Sequence, residues 1–201
     1  MMHKHGDHNH DHNHEHTHYE DNMNFDWNFW SSPKNAKVIV QWAADELSIR
    51  DPDNAQTYAQ NARKTISRLS KLDLTMRKKL VPVQNKNFIV LNDYYQYLEK
   101  EYGLSNVGSV IIDKSFGYSA KRIEGIKKIV KEKQANCIFV ELHTPQELVR
   151  KIEYITGVKV AYVDIEWGRS GQKIDDEDVY FSMMKKNAQN ISTCLLHNQK
   201  L

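Results

Sequence analysis

Residues 87–104 read NFIVLNDYYQYLEKEYGL. A short apolar run, Phe88–Leu91, gives way to Asn92-Asp93 and then to a segment, about Tyr94–Tyr102, whose apolar residues recur at helical spacing. The alternation continues to the end of the chain. Val107–Ile112, Ile138–Val140 and Val158–Val163 are further strand candidates, and Ser119–Lys133, Pro145–Thr156 and Asp176–Leu196 are the helices. Such βα alternation predicts an α/β fold, a parallel sheet covered by helices. No internal repeat is visible beyond the βα unit.

Upstream of this region the pattern is purely helical. Asp53 to about Leu80 carries Tyr58, Ala62, Ile66, Leu69, Met76 and Leu80 on one face, with a polar break at Asp73 and a stop at Pro82. At 1.5 Å per residue this helix would be about 40 Å long, which suggests a strut between two lobes. A shorter helix begins at Ser32-Pro33, an N-cap followed by proline in the first turn, and runs to about Arg50. Val38, Ile39, Trp42, Ala43 and Leu47 are its expected apolar face, and Asp51-Pro52 ends it. Before it, Phe25, Trp27 and Phe29 alternate within Asn24–Trp30, which predicts a short strand.

The first residues are of another kind. His3, His5, His8, His10, His12, His14, His16 and His18 alternate mainly with Asp, Asn and Glu. A segment of this composition cannot build a core, so residues 1–24 are expected to be disordered without metal. Tags are usually unbroken runs of histidine, so the alternation favours a natural tract. The net charge of +2 gives no reason to expect nucleic-acid binding, and no apolar run is long enough to span a bilayer. Met1-Met2 lead straight into His3-Lys4-His5 without an apolar leader core, which by itself predicts a cytoplasmic product. Cys137 and Cys194 match no metal-binding spacing, and composition leaves open whether they are free or bridged.

Ligands of an open parallel sheet bind beyond the carboxyl ends of its strands. Here those ends carry Asn92-Asp93, Asp113, Glu141 with His143, and Asp164 with Glu166. Any one of them could simply cap the next helix, but four acidic ends together point to a cation-facing edge. The histidine tract is the more specific signal, because closely spaced neutral imidazoles assemble zinc sites and interleaved carboxylates attract a divalent ion. Copper and nickel would also bind. His143 and His197 are weaker candidates, Tyr94, Tyr95 and Tyr97 read as helix packing, and Lys121, Arg122, Lys127, Lys128 and Lys131 read as a solvated face. There is no nucleophile–base pair, no phosphate-binding glycine loop and no HExxH motif, so an enzyme is the poorest class of reading.

Several motifs fall in a telling order: the acidic histidine tract, D-W-N-F-W-S-S-P at Asp26–Pro33, D-P-D-N-A-x-x-Y at Asp51–Tyr58, N-D-Y-Y-x-Y-L-E-K-E-Y-G-L at Asn92–Leu104, and N-C-I-F-V-E at Asn136–Glu141. Over nearly its whole length the chain resembles the ZnuA-like solute-binding subunits of bacterial zinc ABC importers. That resemblance implies two βα lobes joined by a long helix, with zinc in the cleft. Residues 25–52 would be the end of an incomplete first lobe, 53–82 the linking helix and 87–201 the second lobe. A truncated or split product is then expected, with the first lobe, its leader and its first zinc histidine elsewhere. Two of the family's ligand histidines fall on Asn28 and Asn92, and its late acidic ligand is kept as Asp164. An amide oxygen is a poor zinc ligand beside imidazole, so a tight cleft site is not expected. The family's second-lobe disulfide maps onto Cys137 and Cys194 and, like the family, implies the periplasm.

Three functions follow as expectations. The first is a zinc-binding protein related to the importer subunit but degenerate at the cleft, with the permease or a separately encoded first lobe as partner. The second is a stand-alone metal buffer or chaperone acting through the tract. The third is a single-lobe remnant without function.

Overall fold

The computed structural model describes residues 27–110, 120–165 and 178–197. The βα half follows the expected plan. Four parallel strands, β1 (Asn87–Val90), β2 (Ser105–Ser109), β3 (Cys137–Val140) and β4 (Lys159–Tyr162), lie in the order β2-β1-β3-β4. The helices are α1 (Pro33–Arg50), α2 (Ala55–Leu80), α3 (Gln96–Tyr102), α4 (Ala120–Lys133), α5 (Gln146–Thr156) and α6 (Val179–Leu196). Ile111, Ile112, Ser119 and Asp176, at the margins of three expected elements, lie outside the described residues.

Strand alternation divides the core in two. Phe88, Val90, Cys137, Phe139 and Ala161 face a cluster with Leu69, Leu72, Met76 and Leu80 of α2 and Met183, Met184, Ala188 and Ile191 of α6. Ile89, Ile138 and Val140 face the other way, onto Ile123, Ile126 and Val130 of α4 and Leu148, Val149 and Ile152 of α5. β1 and β3 read as apolar runs because both of their faces are covered. Phe88 and Phe139 stack with ring centres 4.0 Å apart, and Tyr95 meets Phe139 edge-on at 6.0 Å.

The outer edge of β4 is occupied by side chains. The Val160 N–H donates to Glu153 Oε1 of α5 at 3.1 Å, and Asn190 Nδ2 of α6 donates to the Tyr162 carbonyl at 2.8 Å. A disulfide joins Cys137 of β3 to Cys194 of α6, with Cα atoms 5.8 Å apart.

The helical half brings two corrections and one shifted boundary. The expected strand over Asn24–Trp30 is a 3-10 turn, Phe29–Ser31, in its described part; residues 24–26 are outside it. Ser32 caps α1 as expected, its Oγ accepting from the Asn35 N–H at 3.1 Å, and a helix that starts at Pro33 leaves no room for a strand running through Trp30. The face of α1 is the second. Pro33, Ala36 and Ala44 are its buried residues, whereas Val38 and Trp42 are 66% and 63% exposed and Leu47 is also exposed. Small side chains let α1 approach α2 closely, so alanines rather than the large residues define the contact. The long helix follows the expected plan: α2 runs for 26 residues, about 39 Å, and its apolar stripe is interrupted, as expected, at Asp73. The Asp73 carboxylate accepts from Tyr102 OH at 3.2 Å and pairs with Arg77 at 3.1 Å. Ahead of α2, the chain at Pro52–Asn54 forms a 3-10 turn, so the helix proper begins at Ala55 rather than Asp53.

Candidate metal site

Because β1, β3 and β4 are parallel, Asn92, Glu141 and Asp164 emerge from the same edge of the sheet. Asn92 opens the turn after β1, and its carbonyl accepts the Tyr94 N–H at 3.1 Å. Asn28, at the start of the 3-10 turn before α1, places its Nδ2 3.5 Å from the Tyr94 carbonyl. The two asparagines therefore attach to one turn, although they are far apart in the chain. Asp164 is two strands away, about 10 Å by strand spacing. Its backbone is clasped by Asn187 of α6, which receives the Asp164 N–H at 2.9 Å and donates to its carbonyl at 2.8 Å. A cavity of about 140 Å³ lies beside it, lined by Asp164, Ser182, Lys186, Asn187 and Asn190 among others.

Glu141 is 1% exposed, and Tyr95 OH donates to its Oε1 at 3.3 Å, so it serves the core of the edge. His143 is exposed two residues later. Asp93 accepts from Gln96 at 3.3 Å in the turn leading into α3. His197 lies apart, in a groove of about 360 Å³ beside Lys159, Thr193 and Cys194. Among the three tyrosines Tyr95 is buried, while Tyr94 is exposed and Tyr97 half-buried. Lys127, Lys128 and Lys131 are exposed, as expected of α4. Asp113, Glu166 and the eight tract histidines, His3 to His18, lie outside the described residues. Among the described residues no group of three or more His, Cys, Asp or Glu comes together in a way that could hold a metal.

Sequence reasoning missed two features here. Asn187 and Asn190, one helical turn apart on α6, hold the carboxyl end of β4 and the residues just beyond it; two buried-side amides at that spacing were the available signal. The other is a polar knot between α1, α2 and α3. Arg77 Nη2 donates to Glu101 Oε1 at 2.6 Å, and Ser32 Oγ donates to Glu101 Oε2 at 2.9 Å. Burial works against the Arg77 charge, but Asp73 and Glu101 more than offset it, so the guanidinium pKa is raised. Burial, and then the neighbouring Asp73, push the Tyr102 phenol well above its ordinary range.

A parallel sheet covered on both faces, with its polar edge beside a long helix, is the architecture of a solute-binding lobe. The chain belongs to the family described as zinc-uptake complex component A, periplasmic, which matches residues 1–194. It is 30% identical over 171 residues to the high-affinity zinc uptake system protein ZnuA of Brucella abortus (strain 2308), a match that covers 85% of this chain and 50% of that protein. The protein of the same description from Haemophilus influenzae (strain Rd) is 29% identical over 176 residues, covering 87% and 51%. The Zn(II)-bound ZnuA-like domain of Streptococcus pneumoniae AdcA superposes with a TM-score of 0.71 at 25% identity, covering 88% of this chain and 66% of that one. The chain thus spans about half the length of the curated relatives it matches. Its family is one of zinc-uptake components and not of enzymes.

Proposed function

We propose that this chain captures zinc for import and that it does so mainly through His3, His5, His8, His10, His12, His14, His16 and His18. The observation that carries the reading is the distribution of imidazole in a zinc-uptake family member. Eight of its ten histidines lie in the tract, while asparagine stands at both inherited ligand positions, Asn28 and Asn92. Zinc favours nitrogen and sulfur donors in sets of four, so eight imidazoles can supply two sites, whereas two amides and Asp164 make a weak one. In this reading the cleft is degenerate and the tract is the working ligand set.

The partners proposed are zinc, an importer permease and a first lobe contributed by another part of the same protein or by a separate chain. The exposed Val38, Trp42 and Ile49 share one stripe of α1, and burying each would contribute about 1.5–3 kcal/mol, which supports a partner on that side. In this reading residues 25–52 close the first lobe, α2 links it to the second, and residues 87–201 are the second. The periplasm is the proposed location, supported by the Cys137–Cys194 bridge, since such bonds persist in oxidising compartments. The asparagines also favour one alternative, a stand-alone metal buffer that works through the tract without a permease.

Zinc titration of the full chain beside a chain beginning near Asn24 tests the proposal. Most of the bound zinc is expected to be lost with the tract. Equal stoichiometry and affinity in the two proteins would refute it.

A further inference from the structure

The charge of this chain is segregated. Residues 1–26 hold one basic residue, Lys4, and six carboxylates, a balance of −5 with neutral histidine; the whole chain carries +2, so the remainder carries +7. Part of that positive charge is gathered in one place. A groove of about 500 Å³ between α2 and α6 is lined by Arg68, Lys71, Thr75, Phe181, Ser182 and Lys185, with Asp178 its one acid among the described residues. Arg68 is committed there, paired with Asp178 and set 4.1 Å over the Phe181 ring. Lys71 and Lys185 are exposed and have no side-chain partner among the described residues. Lys64 and Lys78, seven residues to either side of Lys71, extend the same face of α2, and Lys186 flanks it on α6. No carboxylate of α2 answers them, because Asp73 is turned to Tyr102 and Arg77.

The acidic segment enters the described fold beside this groove. Tyr180 OH donates to the Trp30 carbonyl at 3.0 Å, and the two rings meet edge-on at 6.3 Å. Phe181, the next residue of α6, lines the groove. Twenty-six residues can reach about 85 Å when extended, whereas Lys64 to Lys78 spans about 21 Å of helix. Reach is therefore no obstacle, and tethering gives the segment a high effective concentration at the groove.

We infer that the α2–α6 groove is a docking surface for the acidic, histidine-rich residues 1–26 of the same chain, occupied when that segment is metal-free and vacated when it loads divalent cations. Each zinc ion adds two positive charges, so two ions reduce the segment's balance from −5 to −1 and a third makes it positive. Attraction to the lysines is then lost. By linkage the lysines must also weaken the segment's hold on zinc, which sets a threshold for capture. The zinc half of this inference rests on the tract being the metal site proposed above; the docking half does not.

Backbone amide NMR of the full chain tests both halves. The comparison is a full-length variant carrying Asp7→Asn, Asp11→Asn, Glu15→Gln, Glu20→Gln, Asp21→Asn and Asp26→Asn. Without metal at low salt, the amides of Lys71, Thr75, Ser182 and Lys185 are expected at different positions in the two proteins. Zinc, or about 0.5 M NaCl, should move those of the natural chain to the variant's positions. Coincident spectra of the two metal-free proteins would overturn docking. Displaced amides that ignore zinc, while calorimetry records zinc on the tract, would overturn release. In a second variant, Lys71→Glu with Lys185→Glu, zinc should bind the tract about fivefold more tightly or better; unchanged affinity refutes the threshold. If neither protein binds zinc through the tract, the metal reading fails, and the metal-free spectra still decide docking.

Discussion

Tyr102 places its hydroxyl 3.2 Å from Asp73 Oδ1 inside the joint between α2 and α3. Burial keeps its phenol protonated well past the ordinary tyrosine range, and burial does the same for Tyr180. A raised pKa means that the unfolded chain loses these protons first. The associated stability is complete below about pH 10, the unfolded value, and declines as pH rises above it. Urea unfolding between about pH 8 and 11 should show a plateau and then a fall, with a shallower fall in Tyr102→Phe. That variant should also lose about 1 kcal/mol at neutral pH from the missing hydrogen bond. An identical alkaline limb in the two proteins would exclude Tyr102 as its source. At the proposed cleft, Asn28→His with Asn92→His tests whether a zinc site can be rebuilt. In a chain lacking the tract, zinc affinity should rise about tenfold or more, because imidazole replaces amide oxygen on a turn that already joins both positions. No gain in calorimetry would mean that the two positions and Asp164 do not converge. Asn28, Asn92 and Asp164 could be singled out as a set in the sequence only because the family resemblance places its ligand positions there. Asn187 could not be, since its spacing to Asn190 marks a polar stripe on α6 but does not reveal that it will clasp the backbone of Asp164.

At the scale of elements, β1 and β3 could be read to within one residue because each carries an apolar run buried on both faces of the sheet, whereas the half-buried Ser105–Ser109 of β2 was expected at Val107–Ile112. The orientation of α1 could not be read. Its large residues and its alanines lie on different sides, and hydrophobicity alone favoured the large ones, whereas close packing against α2 selected Ala36 and Ala44. The 3-10 turn at Phe29–Ser31 was missed for a related reason: alternating aromatics imitate a strand, but Ser32 caps a helix immediately afterwards. The pairing of β3 with α6 through Cys137 and Cys194 came only from family resemblance, as spacing alone cannot set connectivity. The bridge closes a loop with a sequence separation of 57, for which the chain-entropy treatment gives about 4 kcal/mol. Reduction should therefore lower the free energy of unfolding by about that amount. Denaturant melts with and without reductant measure it, and thiol counting on periplasmic protein should find none reactive.

Over the whole molecule, both faces of the described sheet are covered from within this chain, one of them by α2 together with α6. What the sheet still needs is protection of its open side. Among the described residues β4 is an outer strand, and a bare outer strand invites the same strand of another molecule to add to it. Glu153 holds the outward N–H of Val160 and Asn190 the outward C=O of Tyr162, and they do so from two different helices. Replacing both with alanine should leave the fold in place but frees the edge for neighbours, so the double variant should form soluble aggregates or fibrils sooner than the natural chain during prolonged incubation. Thioflavin fluorescence and light scattering would record the difference, and equal lag times would show that the edge is guarded by something else. Two side chains that look ornamental in a single molecule thus act as a quarantine between molecules, and their importance would grow with crowding wherever the protein accumulates.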